Sequence, residues 1–172
     1  MRLTTVAAGF VIVLAGSLAA ASYGRSQAGV PAAVTAPKFN PAADPAKDVE
    51  SAIAEARRSH KRIILDVGGE WCGWCHAMDR YYAEHTDLMA LREQQFVWLK
   101  VNFSPDNKNT AFLSKYPAID GYPHLFVLDT DGKLLHSQDT SLLEQGSSYN
   151  LEKMFAFLKQ WQLSGSSSST AY

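Results

Sequence analysis

The two cysteines of this chain, Cys72 and Cys75, constrain its fold more than any other feature, and the sequence contains no others. They form a C-x-x-C motif that comes directly after residues 62–67, a β-branched run typical of a buried strand. The residues after the motif keep helical spacing through Tyr82. The two thiols are therefore predicted to lie where a strand passes into a helix.

The alternation of hydrophobic periods predicts the fold class. Helices are expected after the N-cap Asp44, over 110–116 and after the N-cap Asn150. Strands are expected at 62–67, 96–102, 125–128 and 133–137, with the last two joined as a hairpin. This order predicts an α/β fold, a central mixed β-sheet flanked by helices on both faces. The apolar face of the last helix is expected to comprise Leu151, Met154, Phe155, Leu158 and Gln162.

Residues 1–21 have the pattern of an export signal. Arg2 supplies a positive start, an uncharged apolar run follows from Val6, and small residues at 19–21 offer a cleavage site. The apolar run is shorter than the ~17 residues that a spanning helix needs, so cleavage is expected, with retention as a membrane anchor as the alternative. Export places the protein in the periplasm or outside the cell, where a disulfide persists.

The rest of the chain is expected to form one domain over residues 44–163. Residues 22–43 are rich in Ala, Pro, Gly and Ser, and residues 164–172 are of low complexity, so both are interpreted as disordered. A chain of 172 residues with 47% hydrophobic content supports one ordinary core. With 16 basic against 17 acidic residues and no basic stripe, nucleic acid is not an expected partner.

Three chemistries use a C-x-x-C motif. A structural zinc site needs two further ligands, and the chain offers no second cysteine pair and only scattered histidines. His76 completes the C-x-x-C-H signature of a c-type cytochrome, in which it would be the proximal haem ligand. The predicted strands argue against such a cytochrome, which is expected to be all-helical. In the cytochrome alternative, the distal haem ligand would be Met78, Met89 or Met154.

The third chemistry is a redox dithiol. The N–H groups and the positive dipole end at the start of a helix stabilise a thiolate, so Cys72 is expected to be the exposed nucleophile with a lowered pKa. Cys75, three residues later, is expected to be shielded and to act as the resolving thiol. A passive structural disulfide is the alternative.

Asp66, the segment at 70–75 with its W-C-G-W-C centre, and Gly121-Tyr122-Pro123 resemble the thioredoxin superfamily, and most closely its exported members. The resemblance implies a thiol-disulfide oxidoreductase of the protein disulfide reductase or isomerase type, acting without a cofactor. It also implies that Asp66, half-buried beneath the motif, relays a proton to or from Cys75. The family's usual first strand is not evident before residue 44.

The resemblance also implies a substrate-binding surface. Tyr122 would precede a cis-proline, Pro123, and offer its backbone to an extended substrate chain. Trp71 and Trp74 are expected to flank the thiols as an exposed apolar rim, with ordinary packing as the alternative. A redox-inactive module that grips peptides beside Pro123 remains a third hypothesis for the function.

Several residues depart from the common thioredoxin pattern: Gly68-Gly69 replaces a bulkier pair, Trp74 a proline, His76 a lysine and Tyr122 a smaller residue. Trp74 brings no charge between the cysteines, so we expect a reductase or isomerase and not a primary oxidant. His76 either stabilises the thiolate when charged or lies at the surface. The expected partners are protein or peptide thiols and disulfides and a membrane electron donor, and the expected state is a monomer.

Overall fold

The computed structural model describes residues 38–163; the predicted export signal, most of the predicted linker and the tail at 164–172 lie outside these residues. The helices are α1 Pro45–Ser59, α2 Gly73–Glu84, α3 Thr86–Gln95, α4 Thr110–Leu113 and α5 Leu151–Trp161. The strands are β1 Arg62–Gly68, β2 Phe96–Asn102, β3 His124–Leu128, β4 Leu134–Asp139, β5 Glu144–Gln145 and β6 Ser148–Tyr149. The predicted element order is confirmed, and a short β5–β6 hairpin is added to it.

The main sheet is mixed and has the strand order β2-β1-β3-β4. β1 runs parallel to β2 and antiparallel to β3, and β3 pairs antiparallel with β4. Because β1 is a central strand, all its residues after Arg62 are buried, and all of these except Asp66 are apolar. The predicted α/β fold class is confirmed.

Alternation along the strands divides the core between the two faces of the sheet. On one face, Ile64 of β1 lies in a cluster with residues of α2, α3 and α5. On the other face, Ile63, Leu65 and Val67 lie in a cluster with Ala56 of α1 and residues of α4. Helices therefore cover both faces, as the sequence predicts.

Local sequence signals set the helix ends. The Asp44 carboxylate accepts the backbone N–H groups of Ala46 and Lys47, which confirms the predicted N-cap of α1. Asn150 caps α5 in the same way. Helix α4 ends at Leu113, before the predicted residue 116, and the chain continues in tighter turns in which the Lys115 and Tyr116 N–H groups donate to the Phe112 and Leu113 carbonyls.

The predicted apolar face of α5 is wrong in part. The buried residues are Met154, Phe157 and Leu158, whereas Leu151 is exposed and Phe155 is only half-buried. The spacing i, i+3, i+4 from Met154 gives a second possible stripe, and packing against the sheet selects it. Periodicity alone does not distinguish the two stripes.

The segment at 38–43 precedes the predicted start of the domain and contributes one residue to its interior. Within residues 38–163 no strand precedes α1, but Phe39 is buried, with 3% of its surface exposed. Phe39 therefore packs with the domain although it precedes Asp44, and hydrogen bonds to the Glu70 and Asn107 side chains hold the backbone of its segment. None of the helices between residues 38 and 163 combines the length and apolar character needed to cross a bilayer.

Candidate redox site

The two cysteines lie at the junction of β1 and α2. Cys72 is the N-cap residue of α2, and its Sγ accepts the Cys75 backbone N–H at 3.1 Å. The two sulfurs form a disulfide, with the Cα atoms 5.3 Å apart. The predicted position of the motif at a helix N-terminus is confirmed.

The prediction that Cys72 is exposed is wrong for the disulfide form. Cys72 is 3% exposed and Cys75 is 1% exposed. Phe39 is buried in one cluster with the two cysteines, and Trp74 and Tyr122 pack against that cluster. The disulfide is therefore enclosed by aromatic rings, and a partner has to approach beside them.

Asp66 lies beneath the motif on β1 and is fully buried, not half-buried as predicted. Its Oδ2 accepts from Trp98 Nε1 and from Lys100 Nζ, each at 3.1 Å. Its Oδ1 is buried without a hydrogen-bond partner. Burial raises the pKa of Asp66, and the nearby Lys100 ammonium opposes that rise.

A second carboxylate shares the Lys100 ammonium. Both carboxylate oxygens of Asp79 accept from Lys100 Nζ, at 2.9 and 3.0 Å. The Lys100 side chain is almost fully buried and that of Asp79 only partly. We call Asp66, Asp79 and Lys100 the charged cluster. The sequence did not point to Lys100 or Asp79, although β1–β2 pairing places Lys100 opposite Asp66.

Three aromatic residues form the open side of the site. Trp71 is 54% exposed, its ring meets Tyr122 edge-on at 5.6 Å, and its Nε1 donates to the Phe103 carbonyl. The Tyr122 ring in turn stacks on Phe103 at 4.8 Å. We call Trp71, Phe103 and Tyr122 the aromatic surface. Two grooves lined by Phe103 adjoin it, one reaching Pro105 and the other Ile119. Sequence reasoning missed Phe103.

Trp74 packs inward and is not a counterpart of Trp71. Its ring meets Tyr149 edge-on at 5.5 Å, and its carbonyl accepts from the Tyr149 hydroxyl. Trp74 also packs against the core cluster under α2 and α5. Of the two tryptophans predicted to form an exposed rim, the structure leaves Trp71 exposed and packs Trp74 as in the alternative interpretation.

The Tyr122–Pro123 peptide bond is cis, as the resemblance implied. The Pro123 carbonyl accepts from the hydroxyl of Thr140, which fixes the start of β3. The chain thus passes from Tyr122, in the aromatic surface, through Pro123 directly into β3.

His76 lies at the surface, with its Nε2 2.9 Å from the Glu70 carbonyl oxygen. The cytochrome alternative is not supported, because the fold contains a four-stranded sheet and is not the all-helical fold expected of such a cytochrome. Of the two roles weighed for His76, the structure shows the surface position.

The family model for thioredoxin-like proteins matches residues 44–130. The thiol:disulfide interchange protein DsbD of Pseudoalteromonas atlantica is 21% identical over 102 residues, which are 59% of this chain and 17% of that protein. The DsbD of Colwellia psychrerythraea is 24% identical over 94 residues, 54% of this chain and 15% of that protein. The chain thus spans less than a fifth of these curated relatives.

Two solved structures share the fold. A disulphide isomerase from Xylella fastidiosa superposes with a TM-score of 0.62 at 24% identity, covering 73% of this chain and 98% of that chain. The oxidised C-terminal domain of DsbD from Neisseria meningitidis superposes with a TM-score of 0.52 at 19% identity, covering 73% of this chain and 100% of that chain.

Proposed function

This chain belongs to the thioredoxin-like family, and from that premise we propose that it is an exported thiol-disulfide oxidoreductase that exchanges protein disulfides. The observation that carries the proposal is the Cys72–Cys75 disulfide at the start of α2, above the buried Asp66. The relatives named as thiol:disulfide interchange proteins favour the same chemistry. Export is proposed from the signal pattern at residues 1–21.

In the first step, the reduced protein attacks a substrate disulfide. The Cys72 thiolate is stabilised by the N-terminus of α2, where its sulfur already accepts the Cys75 N–H. A new bond forms between Cys72 Sγ and one substrate sulfur while the substrate S–S bond breaks. The other substrate sulfur leaves as a thiolate and takes a proton, which leaves a mixed disulfide.

In the second step, Cys75 resolves the mixed disulfide. The Cys75 thiol loses its proton and its sulfur attacks Cys72 Sγ, so that the second substrate thiolate leaves and the Cys72–Cys75 disulfide forms. Two electrons have then passed from the protein to the substrate. We assign Asp66 as the proton acceptor. It lies on the same face of β1 as Gly68, where a Cβ would be only 2.4 Å from Cys75 Sγ.

The aromatic surface is the proposed docking surface for the substrate. Its exposed Trp71 ring and adjoining apolar grooves suit the apolar side chains of an unfolded or extended chain. The Tyr122 backbone beside the cis bond would pair with that chain. In this proposal Trp74 supports the motif from the core side.

We propose that electrons flow towards the substrate, in the reductase or isomerase direction. The residues between the cysteines bring no charge to stabilise a thiolate, and His76 lies against the Glu70 backbone. With modest thiolate stabilisation the disulfide form is relatively favoured, which lowers the reduction potential. An exported reductant has to be re-reduced, and we propose a membrane electron donor.

The test is to equilibrate the purified domain with glutathione buffers and then assay reduction of a disulfide-bonded protein. We expect a potential of about −200 to −270 mV and catalysed substrate reduction. A potential near about −120 mV, as in a strong oxidant, would overturn the proposed direction. Peptide binding without any thiol exchange would overturn the oxidoreductase proposal and leave a binding module.

A further inference from the structure

The strand beneath the disulfide lacks a side chain where Cys75 packs. Gly68 is the last residue of β1, and a Cβ built there would lie 2.4 Å from Cys75 Sγ and 3.0 Å from Cζ of Phe39. The space above Gly68 is therefore shared by the sulfur and the Phe39 ring. A side chain at position 68 of β1 would collide with Cys75 Sγ, whereas the Phe39 ring, which comes from the segment before α1, fills the remaining space.

The segment that carries Phe39 is fastened close to the motif. The Phe39 backbone N–H donates to Glu70 Oε1 at 2.8 Å, two residues before Cys72. Further along the segment, the Pro41 carbonyl accepts from Asn107 Nδ2 at 2.8 Å. Two hydrogen bonds and one buried ring thus hold residues 39–41 against the redox site.

The Phe39 ring contacts the disulfide and the charged cluster at the same time. The Lys100 ammonium lies over the ring, 4.1 Å from its centroid, while the ring atom Cζ reaches the space beside Cys75 Sγ. The same ammonium binds Asp66 and Asp79. An apolar ring at this point excludes water from the sulfur and from the ion pairs behind it.

We propose that Phe39 is a positioning residue that closes the Cys75 side of the redox site, so that external thiols and disulfides react at Cys72 and not at Cys75. The inference rests on the exchange chemistry proposed above, in which Cys75 has to be kept for the internal step. An external disulfide that reached Cys75 would form a mixed disulfide on the resolving sulfur. Resolution would then depend on Cys72, the sulfur at the helix N-terminus that also attacks external disulfides, so a second external disulfide would compete with the internal step.

Alkylation of single-cysteine variants tests this without a substrate protein. Iodoacetamide rates are measured by mass spectrometry for Cys75 in Cys72→Ser and for Cys72 in Cys75→Ser, each with and without Phe39→Ala. We expect Phe39→Ala to accelerate alkylation of Cys75 about 10- to 100-fold, as expected for loss of one buried phenylalanine side chain. Alkylation of Cys72 should change less than about threefold, since its position at the start of α2 is kept.

Two further variants separate shielding from general damage. Phe39→Leu restores most of the apolar volume and should return the Cys75 rate to within a fewfold of the parent. Phe155→Ala truncates a ring of α5 that packs against the core cluster of α2, α3 and α5. It should change neither alkylation rate. Equal acceleration of both cysteines by Phe39→Ala would overturn the proposal, and so would an unchanged Cys75 rate.

If Phe39→Ala fails to fold, Asn107→Ala replaces it. This variant keeps the ring and removes the donor to the Pro41 carbonyl, so we expect the Cys75 rate to rise about 2- to 10-fold with the Cys72 rate unchanged. Equal acceleration of both cysteines by Asn107→Ala would again overturn the proposal. Failure of substrate reduction together with a selective effect on Cys75 would refute the proposed function and leave the shielding role intact.

Discussion

The two sides of the Cys72–Cys75 disulfide are built from opposite kinds of side chain. On one side, the aromatic surface presents three contacting rings and leaves Trp71 largely exposed. On the other side, the charged cluster places two carboxylates on one buried ammonium, behind the Phe39 ring. The aromatic surface contains no charged side chain, and the charged cluster contains no aromatic one.

This difference separates recognition from proton transfer. Apolar rings bind a partner only where the partner can reach them, so the aromatic surface has to face solvent. Burial disfavours the charged form of a carboxylate and raises its pKa, so an enclosed Asp66 accepts a proton more readily than an exposed carboxylate would. A change on one side should therefore leave the function of the other side intact.

The largest expected effect comes from removing each sulfur in turn. Cys75→Ser should accumulate long-lived mixed disulfides through Cys72, because attack occurs and release does not. Cys72→Ser should trap almost no partner, because Phe39 shields the remaining sulfur. The measurement is a non-reducing gel of the variants incubated with a disulfide-bonded substrate. Equal trapping by both variants would contradict the assignment of Cys72 as the attacking sulfur and Cys75 as the resolving sulfur.

A smaller but still large effect is expected from the charged cluster. Asp66→Asn cannot accept the proton of Cys75, so release from the mixed disulfide should slow about 100-fold, within the usual range for general base catalysis. Asp79→Asn, which leaves Asp66 and Lys100 in place, is the matched control and should slow release less than about tenfold. Stopped-flow measurement of thiol release after mixed-disulfide formation gives both rates. A normal release rate in Asp66→Asn would leave the cluster a purely structural role.

The aromatic surface should affect binding without affecting chemistry. Trp71→Ala should raise KM for an unfolded disulfide-bonded substrate about tenfold with kcat little changed, a typical loss for one exposed aromatic contact. Leu142→Ala, which truncates an exposed apolar residue outside this surface, should change neither constant. Steady-state kinetics of both variants measure the effect. A fall in kcat with KM unchanged would place Trp71 in the reaction and not in recognition.

Much of the fold and part of the site could be predicted from local sequence. The buried run of β1, the cap at Asp44 and the motif at the start of α2 each depend on neighbouring residues, and each is confirmed. The cis bond before Pro123 came only from the family resemblance.

The features that were missed depend on contacts between distant segments. Lys100 meets Asp66 through the register of two parallel strands, and Phe103 reaches Tyr122 from the end of the same strand β2. Phe39 was hidden in a segment whose proline-rich composition suggested disorder. Asp79 was the exception, since it follows Cys75 by one helical turn and therefore shares its face of α2.

The smallest expected effect is on stability, and it tests whether Asp66 is truly enclosed. Burial raises the pKa of Asp66 above 3.8, so the folded state favours the protonated form. The stabilising contribution of Asp66 is complete below the pKa that Asp66 has in the unfolded chain. It is lost as the pH rises through the pKa that Asp66 has in the folded protein. Asp66→Asn, which mimics the protonated form, should gain unfolding free energy relative to wild type as pH rises, by at most about 1.4 kcal/mol per pH unit.

Asp44 provides a control of opposite sign, measured by urea unfolding of both variants between acid and neutral pH. The backbone N–H groups of Lys47 and Ala46 lower the pKa of Asp44, so its contribution is present above the unfolded pKa and is lost as pH falls. Asp44→Asn keeps a capping side chain but loses the charge, so it should lose stability relative to wild type as pH rises. Parallel trends in the two variants would mean that Asp66 is as well solvated as the exposed cap, and the closed side of the site would then be open.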